Sequence, residues 1–387
     1  MRKEYDFCFV MSPISVTYPT GGIKIIYQLA KKLALKKYKV AILFLTDPFR
    51  ITRILFPRRK NITNMGHVHY LIKNLLNNRF SFKYIVPVVR KILEIKYRDD
   101  FFGVDLFFSR RVPNGLTSKR YVATDYVTAF CVGSEAKDGS AYFISQHDEA
   151  DPVYLGNLSW LAKEAYNLPL KLIVTNDDMM RIYAEKKPVL FHVGIEDYFF
   201  SPHALERKED CNSILMTLRE GEMKGASYGI EAARLINANI GNIHILAYGN
   251  YLKNKVPSFI EYHYRPSDSE VLELYRKSTI FLLPSIMEGM ALPPLEAMAS
   301  GCAVVSADCV GTNVYLINGF NSVVVPVRDS FAIFTAVRGL LDNKDFMEIL
   351  RKNGVNTALQ FTYENMVNEF INALREKEEA FCGSLKS

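Results

Sequence analysis

The stretch Glu288–Gly301, "EGMALPPLEAMASG", decides how this chain is read. It sets two glutamates, Glu288 and Glu296, on either side of a glycine, small apolar residues and a proline pair. Upstream, "TIFLLPS" is a short apolar run that predicts a buried strand. Pro293 and Pro294 are barred from a helix interior but suit its first position. "LEAMAS" favours helix, and Gly301 ends it where a left-handed cap costs least. "AVVSA" predicts a second buried strand. The pattern is strand, loop, helix, strand, with Glu288 on the loop and Glu296 in the first turn of the helix. In an open α/β sheet, loops at the carboxyl ends of strands are where ligands bind. A helix start there offers unpaired N–H groups and the positive end of a dipole, which suits phosphate. Either glutamate alone has an ordinary explanation, as a solvated acid or as dipole compensation. The pair in this setting points to a site.

Outward from this motif, the second half repeats one plan. "SILMTL" predicts a strand, "REGEMKG" a polar loop, "ASYGIEAARLIN" a helix and "NIHILAYG" a strand. "SDSEVLELYRKS" predicts a helix opened by Ser-x-x-Glu, the spacing of a capping box. The first half opens the same way, with "YDFCFVM" as strand, "SPISVTYPTGG" as loop, "IKIIYQLAKKLALKK" as helix and "YKVAILFLT" as strand. "SAYFISQH", "LKLIVTN" and "KPVLFHVG" read as further strands with polar exits. Residues 55–125 carry little legible pattern. The expected domains are residues 1–195 and 196–359. A C-terminal amphipathic helix within 360–387 carries Met366, Val367, Phe370, Ile371 and Leu374 on one stripe.

At 387 residues the chain is too long for one core and comfortable for two domains. No apolar run approaches the roughly 18 residues a membrane span needs. The opening "MRKEYDFCFVMSPISV" reads as a first strand rather than a leader. Six cysteines are scattered without a C-x-x-C pair, which fits free thiols in a reducing cytoplasm. The net charge of +7 is uneven, because Arg50 to Arg98 holds twelve Lys and Arg against the single acid Glu94. Interleaved with aliphatic and aromatic residues, that stretch suits an anionic membrane surface. Nucleic acid or an acidic acceptor would also match it, and a solvated positive face explains it equally well. The expected location is cytoplasmic, with a peripheral position at the inner face of a membrane.

Arg219 and Lys224 share one loop between a strand and a helix start. Arginine offers a planar fork to phosphate oxygens and lysine a point charge. Facing the "EGMALPP" loop, they would surround a site for a diphosphate, and Glu296 could accept hydrogen bonds from a ribose diol. No Ser–His–Asp arrangement, H-E-x-x-H helix or metal-spaced Cys/His cluster competes, and "HVH" at His67–His69 reads as surface.

With these residues in hand, "EGMALPPLE" resembles the Glu-x7-Glu signature of retaining GT-B glycosyltransferases of the family 4 type. "PTGGIKIIYQLAKKL" is similar to that family's N-terminal glycine loop and helix, and "VGIEDYFFSP" to its interdomain segment. "LREGEMKG" resembles its Lys-Gly loop and "INGFNSVVVP" a later Asn-Gly segment. The resemblance implies an α/β fold of two Rossmann-like domains with parallel sheets facing across a cleft. It also implies a nucleotide-sugar donor held mainly by the C-terminal domain, a glycan or lipid-linked acceptor, and transfer with retention. No cofactor or metal is expected. Arg219 and Lys224 match the cations that bind the diphosphate, Glu288 the acid near the donor sugar, and Glu296 the ribose-binding acid. Gly289 and the backbone of Met290, Ala291 and Leu292 match the loop that meets sugar and phosphate, and Gly22 the N-terminal glycine near the diphosphate. His147 matches a histidine beside the donor sugar. Ala291 stands where the family usually has glycine and Met290 where it has an aromatic residue, departures that bear on the donor's sugar and base. A nucleotide-sugar epimerase or phosphorylase on the same scaffold, or a basic membrane-surface binder without catalysis, are the competing readings.

Overall fold

The computed structural model describes residues 3–12, 21–45, 102–136, 140–152, 156, 159–206 and 212–384, with side chains of the final helix described as far as residue 375. The basic stretch 50–98, His67–His69 and the loop 13–20 lie outside the described residues. The chain divides into two units. One holds the residues up to Thr175, Met179–Phe191 and the chain from Val367, and the other holds Asn176–Asp178 and His192–Met366.

In the first unit the apolar runs become strands buried on both faces, as in "FCFVM" and "VAILFL", whose residues are all buried. Continuous apolar runs of this kind mark parallel strands covered by helices on either side. In chain order the elements are β1 (Lys3–Tyr5), β2 (Phe7–Met11), α1 (Gly21–Leu35), β3 (Val40–Leu45), β4 (Val104–Ser109), β5 (Leu116–Ser118) and β6 (Tyr121–Ala123). There follow α2 (Tyr126–Glu135), β7 (Ala141–Ser145), α3 (Ser159–Asn167), β8 (Lys171–Val174), α4 (Asp177–Ile182) and β9 (Val189–Leu190). Seven strands form one sheet in the order β4-β3-β2-β6-β7-β8-β9, and β1 pairs separately with β5. Every pairing is parallel.

The second unit runs β10 (Ser213–Leu218), α5 (Ala226–Asn239), β11 (His244–Gly249), β12 (Glu261–Tyr264), α6 (Asp268–Lys277) and β13 (Ile280–Leu283). It continues with α7 (Leu292–Ala299), β14 (Ala303–Ala307), β15 (Val323–Val325), α8 (Ser330–Asp342) and α9 (Lys344–Ala358). Its six parallel strands take the order β12-β11-β10-β13-β14-β15. The order therefore reverses between β10 and β13, which makes that gap the topological switch point where open α/β sheets bind ligands. The expected capping box is present on α6, with Ser267 and Glu270 each receiving the other's backbone N–H. Gly301 has φ +76°, and a Cβ there would lie 1.8 Å from the Ala204 carbonyl oxygen, so no other residue fits this helix end. One local expectation needs correction. α7 starts at Leu292, with Pro293 in its second position rather than its first. Glu296 therefore falls in the second turn, and the first turn contains no acid.

The last helix, α10 (Tyr363–Ser384), begins in the second unit and from Val367 onward groups with the first. Its Phe370 is fully buried, with ring centroids 6.0 Å from Phe7, 6.3 Å from Phe9 and 5.4 Å from Phe191. Met366, Val367 and Leu374 of the apolar stripe are buried, and Ile371 is half-buried. Among the described residues no helix is long and apolar enough to cross a membrane.

Candidate functional site

Two loops leave the switch point of the second unit. The first follows β10 and carries Arg219, a turn of 3₁₀ helix at Glu222–Lys224, and Gly225. The second follows β13 and carries Ser285, Glu288 and Gly289 before Ala291 caps α7. The backbone N–H groups of Ile286 and Met287 donate to the Met223 carbonyl at 2.8 and 3.2 Å, tying the loops together. The approach is close enough to require glycine. Gly225 has φ +63°, and a Cβ at this position would sit 1.9 Å from the Pro284 carbonyl oxygen.

These ties bring the cations of one loop onto the acid of the other. Glu288 is 6% exposed, and Lys224 Nζ donates to its Oε2 at 2.7 Å. Arg219 Nη2 donates to Oε1, and Ser285 Oγ donates to the same oxygen at 2.8 Å. The backbone N–H of Glu288 donates to the Val310 carbonyl at 3.2 Å, fixing the residue from a third loop. Arg219 and Lys224 side chains stay about 30% exposed, at 30% and 29%. Two cations sharing one carboxylate leave a net positive group facing solvent. Arg219 Nε is buried and has no hydrogen-bond partner. A buried unpaired donor costs about 1–3 kcal/mol.

Ala291 is buried, and its carbonyl accepts from the Tyr315 hydroxyl. Met290 is half-buried against the apolar core, and Leu292 is the first residue of α7. The first N–H groups of a helix have no intrahelical acceptor, but Pro293 and Pro294 have no N–H, so in the first three positions of α7 only Leu292 offers one to an anion. Glu296, one and a half turns in, accepts from the Tyr275 hydroxyl at 2.9 Å. Tyr248, at the end of β11, lies 2.6 Å from that hydroxyl and feels the charges of both Glu296 and Arg219.

His147 and Gly22 belong to the first unit, where both leave the carboxyl ends of strands. The carbonyl of His147, just after β7, accepts from Ser145 Oγ at 2.8 Å and from the Tyr166 hydroxyl at 3.3 Å. Gly22 stands at the start of α1, and Gln146 Nε2 donates to its carbonyl at 3.0 Å. A Cβ on Gly22 would come within 2.8 Å of Gln146 Oε1, so the glycine makes room for that side chain. The site residues thus assemble as two groups, Gly22 with the His147 loop in one unit and Arg219, Lys224, Glu288 and Glu296 in the other.

Ser285, Tyr248, Tyr275 and Gln146 were not singled out from the sequence. Ser285 had a usable signal, since it directly follows the buried strand at whose exit Glu288 was sought. Among the described residues no group of three or more His, Cys, Asp or Glu is arranged to hold a metal ion.

Residues 199–357 match the family model described as glycosyl transferases group 1. An N,N'-diacetylbacillosaminyl-diphospho-undecaprenol alpha-1,3-N-acetylgalactosaminyltransferase from Campylobacter jejuni is 26% identical over 190 residues, 47% of this chain and 43% of that protein. The chain thus spans less than half the length of this curated relative. Sucrose-phosphate synthase from Thermosynechococcus elongatus superposes with a TM-score of 0.66 at 15% identity, over 98% of this chain and 100% of the other. Anabaena HepE in complex with UDP-glucose gives a TM-score of 0.67 at 12% identity, over 96% of this chain and 99% of the other. At these identities the superpositions speak for the fold. Residues 199–357 are thus similar to the group 1 glycosyl transferases, and the chain has the α/β GT-B fold.

Proposed function

We propose that this chain is a retaining glycosyltransferase that moves a sugar from a nucleotide-sugar donor to a saccharide or lipid-linked acceptor in glycan assembly. The observation that carries the reading is the convergence of Arg219 and Lys224 on Glu288 at the switch point of a parallel sheet. Breaking a sugar–diphosphate bond leaves an oxocarbenium-like sugar and a more negative diphosphate. The charge on that leaving group develops in the transition state, so groups fixed where it grows lower the barrier. Arg219 and Lys224 are such groups, and Glu288 holds both in place before the donor arrives. The backbone N–H of Leu292, at the start of α7, adds a donor to the same anion. Glu296 accepts from the ribose, and His147 and Gly22 keep the roles beside the donor that the family resemblance gives them. Charge compensation by two side-chain cations requires no metal. UDP-glucose bound to HepE supports a nucleotide-sugar donor, and the undecaprenyl-diphosphate acceptor named for the Campylobacter jejuni relative supports a lipid-linked one.

The test has two stages. A thermal-shift panel of UDP, GDP, ADP and dTDP sugars, with and without EDTA, identifies the donor. Nucleotide release is then followed with and without lipid-linked or free saccharide acceptors, and the anomeric configuration of the product is read by NMR. Release that depends on acceptor, survives chelator and yields a retained linkage is the expected result. Acceptor-independent isomerisation of the donor would favour an epimerase, and inversion or loss of turnover in EDTA would overturn the mechanism. For the basic stretch 50–98 an anionic membrane surface and a solvated positive face are the competing readings on its sequence; failure to float with anionic liposomes at low salt would leave the solvated face.

A further inference from the structure

We propose that Tyr275 is a positioning residue for donor binding: its hydroxyl fixes the plane in which the Glu296 carboxylate meets the ribose of a nucleoside diphosphate. The inference rests on the reading of Glu296 as the ribose acceptor. Tyr275 lies on α6 and is fully buried. Its ring is wedged edge-on against Phe199, Tyr248 and Phe281, with centroids 5.7, 6.0 and 5.5 Å away. Three aromatic walls leave the ring one orientation, and they would hold a phenylalanine ring equally well. The hydroxyl therefore has a separate role. It reaches Glu296 Oε2 at 2.9 Å and the Pro293 carbonyl at 3.2 Å, so one oxygen touches both the side chain and the first turn of α7.

Proton accounting gives the contact a direction. An ionised carboxylate only accepts, and a phenol has a single proton. The contact between the two phenols, at 2.6 Å, admits either oxygen as donor; with the one Tyr275 proton directed at Glu296 Oε2, the nearer of its two pure acceptors, and the Pro293 carbonyl farther off, Tyr248 is the donor to Tyr275. Burial above all, with Tyr248 and Glu296 beside it, raises the Tyr275 phenol well above its ordinary range, so this proton stays in place at any working pH. The result is a one-way chain, Tyr248 to Tyr275 to Glu296, running from the end of β11 to α7. A ribose diol presents two donors in fixed relation, and a carboxylate meets them well only if its plane is set. A rotating glutamate would lose that geometry on most of its rotamers.

The experiment is calorimetric titration of the full chain with UDP, GDP and ADP and with the 2′-deoxy form of each. The proteins are wild type, Tyr275→Phe, Tyr248→Phe, Glu296→Gln and the double variant Tyr275→Phe/Glu296→Gln. In wild type the preferred ribonucleotide should bind more tightly than its 2′-deoxy form. Tyr275→Phe should weaken the ribonucleotide roughly 3–10-fold and remove most of that preference, and Tyr248→Phe roughly 2–3-fold. The double variant should bind no more weakly than Glu296→Gln alone, because both substitutions break one arrangement. In turnover, Tyr275→Phe should raise donor KM while kcat at saturating donor stays within about twofold. A merely structural tyrosine would lower the melting midpoint and weaken ribo and deoxy nucleotides alike. Tyr275→Phe that keeps the ribose preference while Glu296→Gln loses it overturns the inference and leaves the role of Glu296 intact. Glu296→Gln that keeps the preference, or wild type that binds none of the nucleotides, overturns the ribose reading and the inference with it. If Tyr275→Phe does not fold, Tyr248→Phe decides, and an unchanged ribose preference there overturns the proposal.

Discussion

Glu288 explains why an acid stands at the head of the turn: it is the point on which two cations from another loop are held still. Arg219→Ala or Lys224→Ala should lower kcat by about 10²–10³, as the loss of one fixed electrostatic donor typically does. Melting curves should show both variants folded, because each side chain is partly exposed. A second acid is unusual for a different reason. Glu149 accepts from the Tyr126 backbone N–H at 2.7 Å, and burial, reinforced by the nearby Asp125 charge, pushes its carboxyl up from 4.5 to about 8. Between those values the folded chain keeps a proton that the unfolded chain releases. Stability therefore falls as pH rises through that window and levels off above about 8. Carried through the whole shift, the loss is about 5 kcal/mol. Glu149→Gln should melt higher than wild type at pH 8 and close to it near pH 5, which scanning calorimetry at the two pH values will read. Arg219 and Lys224 were legible because each follows or precedes a recognisable strand or helix. Glu149 and Asp125 were not, since only the folded sheet brings the α2 start against the loop after β7. Tyr275 hid for another reason: at its spacing on an amphipathic helix it reads as core, and its ring is core.

At the scale of elements, the glycine that closes the β10 loop is the most demanding position. Gly225→Ala should destabilise the protein by more than about 2 kcal/mol, since it combines positive φ with a backbone collision. Gly339, inside α8, has open space where a Cβ would go. Gly339→Ala should raise stability by roughly 0.4–1 kcal/mol through helix propensity and a less flexible unfolded chain. Chemical denaturation of the two variants checks both signs. The strands that sequence reading found are those with apolar residues on both faces, such as β2, β3, β10 and β13. Those it missed include β4 and β12, each the outermost strand of its sheet, whose residues are only partly covered. An edge strand is set by pairing with its one neighbour, which leaves little hydrophobic pattern to read. β6 is central, but its three residues are too few to show a period. The start of α7 shows the same limit. Prolines suit either of its first positions, so the pair alone did not fix which turn holds Glu296.

For the molecule as a whole, the motifs followed one another in an order that pointed to two doubly wound units, and both sheets have that topology. Residues 50–98 resisted reading and lie outside the described residues. The return of the chain in α10 is the long-range feature with the clearest energetic stake. Phe370→Ala removes a fully buried ring from among Phe7, Phe9 and Phe191 and should cost about 3–5 kcal/mol, measurable by denaturant unfolding. The second unit leaves the chain near His192 and rejoins it near Met366. Just inside those points its two ends are bonded side by side, with Ile195 bridging Thr362 and its N–H donating to the Phe361 carbonyl at 2.9 Å. A segment whose entry and exit are stitched at one seam behaves as a cassette. Apart from Asn176–Asp178, exchanging it for the equivalent piece of a relative needs only one pair of matched splice points.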